Sequence, residues 1–213
     1  MVRAVCEEIR QHGRRTLEVT ADVTDRQGID RLRDLLLENF GRIDILVNAA
    51  GITFRKPTAD VSPQEWDGLF ETNVNGVLRA CQAFYQPLKE SGAGRVVNVA
   101  SLGSYVAFKE VTAYCASKAA VLSMTRSLAV EWAKDKICVN AIAPGVFPTD
   151  LNSKLLNGTE RGRELLLRTP MNRFGDPDEI VAAAVLLASP GASFITGQCL
   201  AVDGGFLASG VNS

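Results

Sequence analysis

A hydroxyl, a phenol and an ammonium stand at a spacing that suits proton transfer: Ser101, then Tyr114, then Lys118 one helical turn further on. Residues i and i+4 share a helix face, so a helix here sets the Lys118 ammonium beside the Tyr114 phenol. A neighbouring cation favours the ionised form of an acid. The expected Tyr114 pKa is therefore below the phenol's ordinary value, which makes a better general acid/base near neutrality. Ser101 follows a β-branched run, Val96, Val97 and Val99, that reads as a strand. Open α/β sheets bind ligands at the carboxyl ends of their strands, so the Ser101 hydroxyl can hold a carbonyl oxygen while Tyr114 gives or takes the proton. A Tyr with a Lys four residues later also decorates many helix surfaces, so the pair takes its meaning from its context.

The elements that must position these groups follow from hydrophobic periodicity. Val2, Val5, Cys6 and Ile9 recur at helical spacing before Gly13, so the chain opens on a helix. Thr16 to Ala21 alternates as a strand does, and a helix striped by Ile29, Leu32, Leu36 and Phe40 closes at Gly41. Ile43 to Val47 reads as a buried parallel strand running into the small-residue turn Asn48-Ala49-Ala50-Gly51. Ser62-Pro63-Gln64-Glu65 is a capping box with proline at the first helical position. The helix it starts should be interrupted near Asn73 to Gly76, aiming Asn73 inward, and then continue to about Lys89. Strands are expected at Arg95 to Ala100, Ile137 to Ala143 and Gln198 to Val202, and a long helix at Ala113 to Lys134. A short helix around Glu160 to Arg168 and one after Asp176-Pro177-Asp178-Glu179 complete the pattern. Strand and helix alternate repeatedly, which argues one domain, residues 1–213, built on a parallel sheet with helices on both faces. Residues 147–175, broken by Pro148, Gly158, Gly162 and Pro170, are the expected substrate lid.

Composition narrows the function. With 46% apolar residues, and 23 basic against 24 acidic residues giving a net charge of −1, nothing resembles a phosphate-backbone footprint, and nucleic acid is not an expected partner. Cys6, Cys81, Cys115, Cys138 and Cys199 are scattered without a Cys-x-x-Cys pair, so neither a disulfide framework nor a metal site is expected. They read as core thiols of a cytoplasmic protein. His12, the single histidine, precedes Gly13 and reads as a solvated helix end. No apolar run is long enough for a bilayer span, and no signal-peptide core is seen at the start.

The context that Tyr114 and Lys118 require is present. The stretch Tyr114-Cys115-Ala116-Ser117-Lys118-Ala119-Ala120, the spacing to Ser101, Asn48-Ala49-Ala50-Gly51 after a strand, Asn73 in Thr-Asn-Val-Asn-Gly, and Pro144-Gly145 with Thr149 together resemble the short-chain dehydrogenase/reductase family over essentially the whole chain. The resemblance implies an α/β, Rossmann-like, doubly wound parallel sheet and an NAD(P)-dependent oxidoreductase acting on an alcohol or ketone. It implies a catalytic tetrad of Asn73, Ser101, Tyr114 and Lys118. In it Lys118 binds the nicotinamide ribose and depresses the Tyr114 pKa, and Asn73 fixes a water in the proton relay. It implies cofactor contacts from Asp22 and Val23 at the adenine, from Asn48, Ala49, Ala50 and Gly51 along the cofactor, and from Pro144, Gly145, Val146 and Thr149 at the nicotinamide end. Ala49 departs from the family's second asparagine in that turn. The segments Ile142 to Thr149 and Arg168 to Pro177 are most similar to gluconate 5-dehydrogenases and related sugar-acid or polyol dehydrogenases, and also to 3-oxoacyl-carrier-protein reductases. Arg168 and Arg173 are candidates for a substrate carboxylate, or are solvated arginines; Phe147, Leu155, Leu156 and Met171 can equally line an apolar pocket.

Against the family pattern, no glycine-rich G-x-x-x-G-x-G turn follows a strand in this sequence. The first strand, that turn, the first helix and the second strand are expected to be lacking, and with the second strand the residue that selects NAD or NADP. The Thr16 strand should then either pair with the Ile43 strand or leave an exposed edge. Three readings follow: an active NAD(P)-dependent oxidoreductase; a catalytically silent truncated fragment or pseudoenzyme working only through its interfaces; and, disfavoured by Ser101, Tyr114 and Lys118, another Rossmann-like enzyme such as a methyltransferase. The family implies a homo-oligomer, tetramer or dimer, formed through the helices Glu65 to Lys89 and Ala113 to Lys134 and the last strand.

Overall fold

The computed structural model describes residues 2–148, 156 and 158–210. Helices form where the apolar spacing places them. α1 (Val2–Gln11) is followed by Gly13 in the left-handed region, and α2 (Arg26–Phe40) ends at Gly41 (φ 77°), whose N–H bonds the Leu37 carbonyl. Glycine takes that conformation without the steric penalty of a Cβ. The Ser62 hydroxyl accepts from Glu65 N at 3.2 Å while the Glu65 carboxylate accepts from Ser62 N at 2.8 Å, so the capping box starts α3 (Pro63–Phe70) as read from sequence. α3 widens into a π turn over Glu71–Asn75 before α4 (Gly76–Glu90) resumes.

β1 (Ile45–Asn48), β2 (Arg95–Val99), β3 (Cys138–Pro144) and β4 (Cys199–Val202) form one parallel sheet in that spatial order. α3 and α4 cross from β1 to β2, and α5 (Thr112–Trp132) from β2 to β3. α6 (Glu160–Arg168) and α7 (Asp178–Ala188) lie between β3 and β4. Successive strand residues face opposite sides, and the core follows that period. Val96 and Val139 pack with Val121 and Trp132 of α5 and Phe84 and Leu88 of α4, while Val97 and Ile142 pack with Ala183 and Leu187 of α7. Helices thus cover both faces, the Rossmann-like α/β arrangement.

One expected element is corrected. Thr16 to Ala21 forms no strand. Strand backbone groups need a neighbour to bond, and no described strand pairs with this segment; just before it, Arg15 donates to the Asn39 carbonyl and lies 4.9 Å from the Phe40 ring centre at the end of α2. Among the described residues β1 therefore pairs only with β2, which leaves its outer edge open, and on one face of the sheet Ile45 is 47% and Val47 52% exposed. Of the two outcomes expected for this edge, the open one is found.

Candidate active site

Ser101 lies just past β2 in extended backbone, and its Oγ accepts from Gly103 N at 3.1 Å as the chain tightens into the turn Leu102–Ser104. With that lone pair occupied, the hydroxyl proton remains to be donated, and Ser101 is near enough to the Tyr114 phenol to favour its ionised form. The turn is fastened to α5 by Ser104 Oγ, which donates to Lys118 O at 2.8 Å. A Cβ at Gly103 would come within 2.9 Å of Cys115 Sγ, so a glycine there lets Ser101 approach the start of α5.

Asn73 is fully buried in the π turn. Its Oδ1 accepts from Ile52 N at 2.8 Å, and its Nδ2 donates to Ile52 O at 2.9 Å and to Ser117 Oγ at 3.1 Å; Ser117 in turn donates to Tyr114 O at 2.8 Å. The widened turn therefore grips the loop after β1 and hangs it from the Tyr114 helix. Gly51 sits inside this grip, where a Cβ would lie 3.3 Å from Asn73 Oδ1 and 3.6 Å from Lys118 Nζ. Ser117, three residues after Tyr114 on the face that α5 turns inward, thus joins Asn73 to the Tyr114 helix, a link that its spacing alone marks in the sequence.

Lys118 is buried, its Nζ donating to Val99 O at 2.7 Å and lying 5.8 Å from the Tyr114 ring centre. Burial pushes its pKa down to about 8. Tyr114 departs from the expectation: burial raises its pKa, and the hydrogen bond from Ser101 recovers only part of that rise. Desolvation sets the direction, since the Lys118 ammonium gives its hydrogen bond to the Val99 carbonyl and not to the phenol. The four residues of the implied tetrad are brought together, with the pKa directions of Tyr114 and Lys118 set first by burial.

The implied cofactor contacts divide into two groups. Val23, Asn48, Ala49 and Ala50 line a groove of about 230 Å³ that continues over Leu32, Leu36 and Phe84. Val23 presses on Gly76, where a Cβ would be 2.7 Å away. Asp22 turns its carboxylate back to Thr24 N at 2.8 Å and Thr24 Oγ1 at 2.9 Å, and Asn48 turns its amide inward to Asn98. At the other end Gly145 N bonds Val202 O at 2.8 Å, and a Cβ on Gly145 would meet Asp203 Cα at 2.6 Å. This fixes Pro144, Gly145 and Val146 against the end of β4. Val146 and Phe147 open onto a second cavity of about 380 Å³ with Thr169, Met171 and Gly204. Thr149 and Leu155 lie outside the described residues. The close approaches at Gly51 and Gly145, with the buried Lys118 ammonium between the two strand ends, fit the nicotinamide and ribose half of a dinucleotide. No glycine-rich turn among the described residues offers a cradle for its pyrophosphate.

Both arginines of the expected lid already have partners, and Arg173 with Glu179 lines the cavity of about 380 Å³. Arg173 binds Glu179 through two contacts of 2.6 and 2.7 Å at the surface, and the Arg168 guanidinium lies 5.1 Å from the Phe206 ring centre. Phe206 packs on Phe108, in the loop between Ser101 and Tyr114. On α5, one of the helices expected at an oligomer interface, Leu122, Ala129 and Trp132 belong to the core and Ala119 is exposed. Among the described residues no His, Cys, Asp and Glu cluster could hold a metal ion, and no helix is long and apolar enough to cross a membrane.

A family model described as enoyl-(acyl carrier protein) reductase matches residues 1–207. A 2-dehydro-3-deoxy-D-gluconate 5-dehydrogenase of Dickeya dadantii is 40% identical over 203 residues, covering 95% of this chain and 80% of that protein. A D-threitol dehydrogenase of Mycolicibacterium smegmatis is 42% identical over 185 residues, covering 87% of this chain and 71% of that one. Among solved structures, a gluconate 5-dehydrogenase from Burkholderia cenocepacia in complex with NADP and tartrate superposes with a TM-score of 0.92 at 34% identity, covering 97% of this chain and 81% of that chain.

Proposed function

Since the chain belongs to the short-chain dehydrogenase/reductase family, an oxidoreductase family, we propose that it interconverts a secondary alcohol and a ketone on a small polyhydroxylated substrate, a sugar acid or polyol, with Tyr114 as general acid/base. The observation that carries this reading is that Asn73, Ser117 and Tyr114 O are joined by hydrogen bonds while Lys118 bonds Val99 O at the end of β2, with Ser101 just beyond it. A bound NAD or NADP would supply or take the hydride. Tyr114 and Lys118 would hold its ribose, with Gly51 and Pro144 to Val146 along its nicotinamide half; Thr149 and the adenine contacts of Asp22 and Val23 belong to the same proposal.

Ser101, its oxygen already accepting from Gly103 N, donates to the substrate oxygen and orients it towards Tyr114. The raised pKa keeps the phenol protonated at neutral pH, the state that delivers a proton to a ketone. In the oxidative direction the phenolate must form, and a charged Lys118 beside it makes that easier. Residues 147–175, of which 149–155 and 157 lie outside the described residues, are proposed as the substrate lid. The test is turnover of hexonate and polyol substrates with NAD(H) and NADP(H). Tyr114→Phe should lower kcat by about 10²–10⁴-fold, the usual contribution of a positioned acid/base, without unfolding the protein. Turnover that survives the change removes Tyr114 from this role.

A second reading, a chain that is silent alone and works through its interfaces, is favoured by the open β1 edge and the half-exposed Ile45 and Val47. Calorimetric titration with NADH and with NADPH separates the two, since a silent chain binds neither. In either case we propose a homo-oligomer, dimer or tetramer. Val181, Val185 and Leu186 of α7, the fully exposed Phe194 and Leu200 of β4 are exposed apolar side chains that a second copy could cover. Light scattering that finds only monomer rejects it.

A further inference from the structure

We propose that Asn98 is a positioning residue for the proton-transfer site, acting through the backbone carbonyl that receives Lys118. The proposal rests on the reading of Tyr114 and Lys118 as the proton-transfer pair. Asn98 is fully buried on β2, opposite Asn48 in the last β1–β2 pair. Its Oδ1 accepts from Asn48 Nδ2 at 2.8 Å, its Nδ2 donates to Thr125 Oγ1 at 2.9 Å, and Thr125 donates onward to Val121 O at 2.8 Å. Asn48 Nδ2 also points at Cys81 Sγ, 3.4 Å away on α4. One buried polar ladder therefore joins β1, β2 and α5 just below the site. A core needs no such ladder. Burying carboxamides is costly unless both ends are bonded, and an apolar residue would fill the same place between strand and helix.

What the ladder keeps available is the next carbonyl. Ala100 N bonds Ile142 O of β3 at 2.8 Å, and a trans peptide points its N–H and C=O in opposite directions, so the Val99 carbonyl faces the β1 side. β1 ends at Asn48, and the chain leaves through Ala49, Ala50 and Gly51. With no strand N–H to meet it, that carbonyl takes Lys118 Nζ at 2.7 Å. Asn48 clamped to Asn98 holds the end of β1 in register. Thr125 clamped to Asn98 holds α5 at a fixed height two turns beyond Lys118. Both sides of the lysine's seat are thereby set by one side chain.

Thr125→Val keeps the shape and cuts the ladder, Thr125→Ser keeps the hydroxyl, and Asn98→Leu removes both bonds of the asparagine. Two readouts separate positioning from simple stability: the kcat and KM pH profiles, and the pH dependence of Lys118 acetylation by acetic anhydride in the ligand-free protein, followed by mass spectrometry. Thr125→Val and Asn98→Leu should each lower kcat by about tenfold or more with KM little changed, as expected for loss of alignment. They should also move the Lys118 labelling midpoint upward from about 8 as the loosened seat admits water. Thr125→Ser should restore both. The proposal is overturned if Thr125→Val stays folded, melts lower, and leaves the labelling midpoint and the kcat profile unchanged. If Asn98→Leu does not fold, the Thr125 pair alone decides. If the unaltered protein turns over no alcohol or ketone, the proposed reaction fails while the labelling midpoint, which needs no turnover, still judges the role of Asn98.

Discussion

The ends of β1 and β2 lie side by side in one sheet and are finished in opposite ways. Beyond β2, Ser101, Asn73, Ser117 and Lys118 each bond a protein partner, and the small residues Gly51 and Gly103 let those partners close in. On one face of β1, Ile45 and Val47 stand half exposed beside an apolar groove of about 230 Å³. The first region is preorganised by its own chain, because buried polar groups are held only where their bonds are complete. The second has apolar surface and open strand edge, the features by which sheets attract further chain. The proton-transfer half and the groove that would hold the adenine end are thus separable physical problems within one sheet.

The largest effect should come from crowding the preorganised side. A valine at Gly51 sets its Cβ 3.3 Å from Asn73 Oδ1, with further methyl groups towards Lys118. Displacements of that order cost up to about 10²-fold in rate when they misplace reacting groups. Gly51→Val should therefore lose roughly that much kcat while the circular dichroism spectrum is retained; full activity would show that the β1 turn does not position the tetrad.

Charge gives the next effect. The Lys118 pKa is near 8 when folded and 10.5 in the free side chain, so between those values the unfolded state holds the extra proton and stability rises with pH. Below about pH 8 both states are protonated, and the folded one carries the full cost of the buried ammonium. The shift bounds the change at about 3 kcal/mol. Denaturant titrations from pH 7.5 to 10.5 should show the stability of the unaltered protein rising relative to Lys118→Met; parallel curves would mean that the ammonium is hydrated.

The smallest effect belongs to the open edge. Val47→Lys places a charge on a half-exposed strand residue, for which the stability change should stay within about 0.5 kcal/mol. Self-association through this edge, read by light scattering, should fall. A stability loss of several kcal/mol would show instead that Val47 is covered in the assembled protein, and the contrast between the two strand ends would then disappear.

Much of this molecule is legible in its residues. The glycines after α1 and α2, the capping box at Ser62 and the Asn-rich interruption before Gly76 act locally, through backbone conformation and bonds between near neighbours, and each stands where the sequence reading put it. Thr16 to Ala21 failed as a strand because alternation reports a preference, while a strand exists only when another strand takes its hydrogen bonds. The Tyr114 pKa failed for a similar reason. Spacing on the helix brought Lys118 close, but burial, which no spacing reveals, governs both groups.

By itself the sequence determined the α/β order and the family, and it singled out the four side chains proposed to do the chemistry, because periodicity, caps and motif spacing are properties of neighbours along the chain. Only the tertiary structure decided that Lys118 spends its hydrogen bond on Val99 O, that Ser117 joins Asn73 to the Tyr114 helix, and that Asn98 bridges β1 to α5. These are choices of partner between residues far apart in the chain, made by which buried polar group lies within about 3 Å of another once water is excluded.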